Sequence, residues 1–355
     1  AFGRAVLVTE VEGLAEAATA LLGGGGRLPL VVERLPTLSE SGGVEAFHFG
    51  ESLLRVCRAY GLERVVYVGG GAMPLGGAGD LAYLALGVGG EGSCVVANSL
   101  YSADVIAFQP ASALERIALP SADNDLAWLL HYRAGLPFSP MRRTVATQFD
   151  IDTPTDLATL WWSSQAPPLR EMVGERLGKV GEAAQGEMPL LAGTVEKAYR
   201  VMATRRAEVL VAGRVSSWVW RRLETNLPCQ TRIMSEERGM RASGREARGE
   251  ARSLLGLYAD AVGIEGLVSA IEQVADAAFI DSRVLFAHRG LTPSARDRFA
   301  SDALQPELIV EPWVRELTEA AMSASIPIVM GGHSLVSGGV WALSERVREG
   351  GSAGG

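Results

Sequence analysis

Lysine is nearly absent from this chain. Of its 355 residues only Lys179 and Lys197 carry an ammonium group, and no lysine precedes residue 179. A P-loop or a Schiff-base lysine is thereby excluded from the first half, and any cation that meets a phosphate there must be an arginine. Cysteine is scarce as well. Cys57, Cys94 and Cys229 lie far apart without CxxC spacing or a neighbouring histidine, so neither a disulfide framework nor a zinc site is signalled. Positive charge is in deficit too: a net charge of −8 and a pI of about 5.3 disfavour a nucleic-acid-binding surface. No apolar run reads as a membrane span, and the opening AFGRAVLVTE is too short and polar for a signal peptide. The expected compartment is the cytoplasm, with no nucleic acid or membrane among the partners.

What is present can build cores. A content of 48% hydrophobic and 21% charged residues suits one large or two ordinary globular domains. Apolar runs at 4–9, 28–33, 65–68, 94–97 and 105–108 alternate with helix-spaced leucines at 14–22, 53–60 and 123–134. This predicts an α/β layer fold with a mostly parallel sheet. Composition turns to Ser, Pro, Gly and mixed charge after residue 163, then regains strand runs at 208–213, 231–234, 283–287 and 326–330. The expected organisation is a first domain over 1–165, a linker over 166–193, a second, smaller α/β domain over 194–349 and a flexible tail over 350–355.

The most informative stretch is FDIDTPTDL, residues 149–157. Phe149 and Ile151 alternate with Asp150 and Asp152 like a strand end. Thr153 is a good N-cap, Pro154 suits the first helical position, and Asp156 completes a capping box. Asp152 then lies between a strand end and a helix start, where open α/β sheets bind ligands and where a carboxylate can hold Mg²⁺ against a triphosphate. A second stretch, VGGGAMPLGG at 68–77, offers glycines at a strand end whose backbone can approach a phosphate closely.

D-x-D-T-P-x-D-L resembles the closing motif of nucleotidyltransferases of the sugar-nucleotide-transferase fold, especially the molybdenum cofactor guanylyltransferase and phospholactate guanylyltransferase type. The resemblance covers roughly the first half of the chain. It implies a GT-A-like three-layer sandwich, an NTP substrate, Mg²⁺ and a metal ligand at Asp152. The MPL of the glycine turn is similar to the family's D-M-P-L, but Ala72 stands where the family has its other metal-binding Asp. The family's glycine-rich loop after the first strand is missing as well, with VTEVEGL in its place.

On this reading Asp152, flanked by Asp150, holds the metal. Arg143, next to Arg142, neutralises phosphate charge, Gly69, Gly70 and Gly71 line the nucleotide, and Asn98 touches base or sugar from a polar turn. The expected function is Mg²⁺-dependent transfer of an NMP group from an NTP to a small phosphorylated or acidic metabolite. The alternative is a non-catalytic nucleotide- or metabolite-binding or regulatory protein that keeps the fold, as Ala72 favours. A homodimer is left open.

Two features of the second half invite chemistry. Arg238, Arg241 and Arg245, in the charged run 235–253, could close on an anion as a mobile loop, but a solvated, partly helical segment is the favoured reading of them. GGHSLVSGG, residues 331–339, resembles a nucleophile elbow only superficially. Val336 replaces the elbow's final glycine and no histidine follows His333, so a hydrolase is rejected. A glycine turn whose N–H groups, with Ser334 and Ser337, hold a phosphate or a neighbouring loop remains. His288 is expected to be structural.

Overall fold

The computed structural model describes residues 2–9, 14, 16, 30–34, 47–163, 171, 188–241 and 243–352. The chain forms two compact units. The first comprises Ala1–Gly69 and Gly76–Arg142, and the second comprises Gly70–Leu75 and Arg143–Gly355.

In the first unit β1 (Ala5–Thr9) pairs in parallel with β2 (Leu30–Arg34). Then follow α1 (Phe49–Ala59), β3 (Val65–Val68), α2 (Ala78–Gly87), β4 (Cys94–Ala97), β5 (Val105–Gln109), α3 (Leu126–Tyr132) and β6 (Phe138–Pro140). The last four strands form a sheet in the order β3-β5-β4-β6. Strand β5 runs antiparallel to both neighbours while β4 and β6 are parallel, so this sheet is mixed rather than mostly parallel as the sequence suggested. The cause is the short loop 98–104, which can return the chain only as an antiparallel neighbour because a parallel return needs a long crossover. Val95, Ala97, Ile106 and Phe108 pack beneath α1 and α3 through Phe49, Cys57, Leu126 and Leu130.

The second unit contains α4 (Val145–Gln148), α5 (Pro154–Ser163), α6 (Met188–Met202), β7 (Glu208–Gly213), α7 (Ser217–Asn226) and β8 (Gln230–Ser235). It continues with α8 (Leu254–Val274), β9 (Ala277–Asp281), α9 (Ser282–His288), α10 (Ala295–Asp302), α11 (Pro312–Ser323), β10 (Ile328–Gly331) and α12 (Val340–Ser352). Its four strands are all parallel, in the order β8-β7-β9-β10. The chain thus leaves β7 on one side to reach β8, then crosses back to β9 on the other. That reversal makes the gap between β7 and β9 the topological switch point of a doubly wound sheet. Both faces are covered: Val209, Val211, Phe279 and Val329 face α5, α6, α7 and α12, whereas Leu210, Ala212, Ala278, Ile280 and Met330 face α8, α10 and α11. Burial on both faces is why these strands read as continuous apolar runs.

Three sequence expectations are corrected. Residues 283–287 belong to helix α9, and the strand is the preceding Ala277–Asp281. Val284, Leu285, Phe286 and Ala287 are all buried, and an apolar run buried all round carries no period that separates helix from strand. Helix α8 is long and apolar enough to cross a membrane, which the sequence reading did not anticipate. Gly263 breaks it with φ 81°, and Ile264, Leu267, Val268 and Ile271 lie in the core beside the sheet while Leu254, Leu257, Tyr258 and Val262 are exposed.

The third correction concerns the boundary. The expected first domain ended at residue 165, yet the division falls after Arg142, and residues 70–75 also go with the second unit. Helix α5 explains the difference, because Phe149, Ala158 and Leu160 are buried in one core with α6, α7 and α12. Of the expected linker, residues 166–187 other than 171 lie outside the described residues, as do 353–355 of the tail, while 188–193 already belong to α6.

Residues 148–155 are pinned into the second unit by direct backbone contact. The Ile151 N–H donates to Gly71 O at 2.8 Å, and Ala72 forms an antiparallel bridge with Asp150. Asp150 N–H donates to the Ser334 hydroxyl at 3.2 Å, and that hydroxyl donates to Asp150 O. Opposite, a Cβ on Gly338 would collide with Gln148 O and Phe149 Cα. Gly338→Ala is therefore expected to destabilise the protein by roughly 1–3 kcal/mol, the usual cost of overpacking, because rigid backbone cannot yield. Chemical denaturation would register it as a lower midpoint, with Gly350→Ala, which meets nothing within 4 Å, as the control.

Candidate functional site

The capping chemistry read from FDIDTPTDL is realised. Asp156 Oδ2 accepts from the Thr153 N–H at 2.8 Å, the Asp152 N–H at 3.0 Å and the Thr153 hydroxyl at 2.9 Å, while Asp156 N–H donates back to Thr153 Oγ1. The Thr155 hydroxyl donates to Met330 O at 2.7 Å, which sets the start of α5 against the C-terminal end of β10. Asp152 therefore does lie at the C-terminal edge of a parallel sheet, as the sequence suggested, but the sheet is that of the second unit.

The sequence-predicted site residues divide between the units. Gly69 and Asn98 belong to the first. The Asn98 side-chain Oδ1 accepts from Asp104 N–H and Val105 N–H, closing the turn before β5. Gly70, Gly71, Arg143, Asp150 and Asp152 belong to the second. There Gly71 O accepts from the Ile151 N–H next to the Ala72–Asp150 bridge, and a side chain at Gly71 would strike Ile151 O. Exposed Arg143 lies over the Trp218 ring at 5.8 Å. Among the described residues no group of three or more His, Cys, Asp or Glu is arranged to hold a metal ion. Ala72 faces Asp150 with a methyl group where the family pattern needs a carboxylate, and Asp156 turns inward onto backbone. The donor set does not fit the family's two-carboxylate Mg²⁺ clamp.

Asp156 is fully buried, and its Oδ1 has no hydrogen-bond partner among the described residues. Desolvation raises its pKa to about 7 against the hydrogen bonds from Thr153 and Asp152, and the Asp152 and Asp302 charges add to the rise. Below that pH the carboxyl stays protonated in the folded chain.

A second constellation, which the sequence reading missed, lies at the switch point. Gly213 ends β7 with φ 121° and has no side chain because Asp281 of β9 passes against it. The turn brings Arg214 onto Asp281, with Nε to Oδ2 at 2.5 Å and Nη2 to Oδ1 at 3.0 Å. Asp281 has no solvent exposure and Arg214 only 12%. Burial pushes the Asp281 carboxyl up, but the Arg214 charge and hydrogen bonds outweigh it and hold the pKa below the ordinary value. Behind this pair Arg283 grips Asp302 at 2.6 and 2.5 Å, also buried.

His333 completes the constellation at the helical turn after β10. Its residue surface is exposed to solvent at the sheet edge that carries Arg214 and Asp281, while desolvation by the protein around the ring acts on its titration. That desolvation, with repulsion from Arg214 and Arg238, lowers its pKa to about 4 against the pull of Asp281 and a hydrogen bond to the Arg214 backbone. The imidazole is neutral at pH 7. A π turn, Leu335–Gly339, follows His333, a distortion frequent at functional sites. The sequence signals were Gly213-Arg214 closing an apolar strand and Asp281 closing another, but Asp281 was hidden by the misplaced strand.

The remaining candidates make local contacts. Ser334 holds Asp150 backbone, and Ser337 donates to His333 O at 2.8 Å. Arg245 pairs with Glu237 and Arg241 with Glu246 within the charged loop. His288 accepts from Ser253 N–H and meets Asp260 at 3.0 Å, the structural role expected of it.

The Asp156 environment sets a pH dependence. The folded carboxyl keeps its proton up to about pH 7, whereas the unfolded chain releases it near 3.8. Between these values the folded state binds more protons, so the contribution is fully present below about pH 4 and is lost as pH rises through 7. His333 acts in the opposite sense, losing stability as pH falls from 6.5 toward 4, but equally in any Asp156 variant. Asp156→Asn, which mimics the protonated acid, is therefore expected to gain on the wild type by a few kcal/mol between pH 5 and 8. Urea unfolding of both proteins across that range measures the difference, and parallel curves would refute the assignment.

Comparison with protein families, characterised proteins and solved structures finds no match to this chain.

Proposed function

We propose that this chain is a metabolite-binding protein that takes a small anionic ligand at the C-terminal edge of its second sheet, with FDIDTPTDL acting as a brace for that edge. The observation that carries this reading is the Arg214–Asp281 pair at the switch point, on the same sheet edge as solvent-exposed His333. Open parallel sheets bind ligands where strand order reverses, and a guanidinium oriented by a buried carboxylate needs no reorganisation to meet an anion. Arg214 spends Nε and Nη2 on Asp281, and its Nη1 makes no bond among the described residues. Arg238, exposed and with no carboxylate partner among the described residues, follows β8 at the same sheet edge, and its charge acts on His333.

A second reading, Mg²⁺-dependent nucleotidyl transfer on a GT-A-like fold, is favoured by one observation. The MPL turn and the DID strand, the two halves of the family pattern, meet at the Ala72–Asp150 bridge. The mixed sheet of the first unit is compatible with such a fold. What is missing is a carboxylate at position 72.

Thermal-shift titrations separate the two, because a ligand that binds only the folded state raises the midpoint. Inorganic phosphate and phosphate esters without metal are expected to stabilise the wild type and the Asp152→Ala variant alike. The paired variant Arg214→Gln/Asp281→Asn, which leaves no buried charge unmatched, should lose the response. If only an NTP with Mg²⁺ stabilises the protein, and Asp152→Ala abolishes it, nucleotidyl transfer replaces the binding reading. In that case Ala72→Asp should tighten Mg²⁺ about tenfold or more.

A further inference from the structure

We infer that the chain pairs with a second copy of itself through the first half of α8, the two helices running antiparallel about a two-fold axis at Tyr258.

The apolar face is continuous. Leu254, Leu257, Tyr258, Ala261 and Val262 recur at i, i+3, i+4, i+7 and i+8, which gathers them into one stripe of the helix. All five are exposed, the four larger ones by between 44% and 61%. The other side of the same turns is already in use. Leu255 and Ala259 pack into the core, and Gly256 leaves no room for a Cβ beside the His288 ring. An outward helix face is normally polar, and a contiguous apolar one marks a contact surface.

Charge decides the occupant. Asp260, on the flank of the stripe, is held by His288 and Arg289, so it brings no unmatched charge to a contact. Two further charges bracket the stripe. Arg252, exposed just before α8, donates from Nη1 to Gly249 O at 2.9 Å and Ala251 O at 2.6 Å, and Glu265 is exposed beyond the break at Gly263. Neither side chain forms an ion pair among the described residues. Leu254 and Val262 lie four residues before and after Tyr258, about 6 Å along the axis on either side. An antiparallel copy therefore sets Leu254 against the partner's Val262 and brings Glu265 toward the partner's Arg252, each contact being made twice. A parallel copy would set like charges together. A bilayer is the poorer complement, because the chain carries a net charge of −8 and the second half of α8 lies in the core.

Sedimentation velocity on the full chain across the micromolar range, at low salt, tests this. A contact of two helical turns is smaller than a standard interface, so a weak, concentration-dependent dimer is expected. Leu257→Glu, at an exposed position, should weaken it at least about tenfold. Glu265→Arg, which sets Arg against Arg, should weaken it about threefold or more, and Arg252→Glu with Glu265→Arg should restore it. A wild type that stays monomeric, a dimer that survives Leu257→Glu, or a double exchange without recovery would overturn the pairing. A monomer that floats with phosphatidylcholine vesicles, and ceases to do so as Leu257→Glu, would assign the stripe to a membrane surface instead.

Discussion

The second unit depends on a contact that admits no side chain. Residues 148–152 run between the Gly71 turn and the turn of the π helix, close enough that a Cβ at Gly71 would strike Ile151 O and one at Gly338 would strike Gln148 O. Backbone cannot be pushed aside as a rotamer can, so glycine is required on both flanks. Ser334 then links the two walls by bonding both backbone groups of Asp150. The lock fixes the entry of α5 and so the depth of Thr155 and Asp156 against β10. It also sets the first turn after β10, which carries His333. The brace and the switch-point edge are two sides of one backbone arrangement.

Charge at this edge is managed in the same spirit. Two Arg–Asp pairs, Arg214–Asp281 and Arg283–Asp302, are buried side by side, and buried ion pairs are a poor source of net stability because desolvation cancels much of their attraction. Their geometry is what they provide. Arg283–Asp302 ties α9 to the end of α10, close to where Thr155 also reaches Asp302 O. Arg214–Asp281 joins β7 to β9 across the switch point and fixes the Arg214 guanidinium at the sheet edge. Asp156, the nearby carboxyl with no arginine of its own, answers burial by keeping its proton instead.

The extent to which this was legible in the sequence follows from which interactions are local. The α/β class, the helix start at Pro154, the Thr153–Asp156 cap and strand β7 depend on residues a few positions apart, and they appear as read. The helix at 282–288 was hidden because burial from every side erases periodicity, and the antiparallel direction of β5 because an apolar run marks a strand without its direction, which the short loop 98–104 sets. The first domain was drawn to residue 165 from the Ser- and Pro-rich composition that follows, whereas Phe149 and Leu160 are buried among residues of α6, α7 and α12. The switch-point constellation was missed too. Arg214, Asp281 and His333 are scattered along the chain, and only the strand order brings them to one edge.

A motif does two separable jobs, and this chain separates them. As a packing device, the pairing of a glycine-rich M-P-L turn with D-I-D needs small residues in the turn, an extended partner and a capped helix beyond, and every one of these is present. As a charge device it needs carboxylates facing each other, and the methyl group of Ala72 breaks that part alone. A clamp for a divalent cation requires both charges, because desolvating Mg²⁺ against a single carboxylate leaves most of its cost uncovered. The packing job requires neither, since Asp150 meets Ala72 and Ser334 through its backbone. Selection for the packing alone would therefore preserve the motif's spacing while freeing position 72. On the binding reading, chemistry is sought where oriented charge survives, at the Arg214–Asp281 pair.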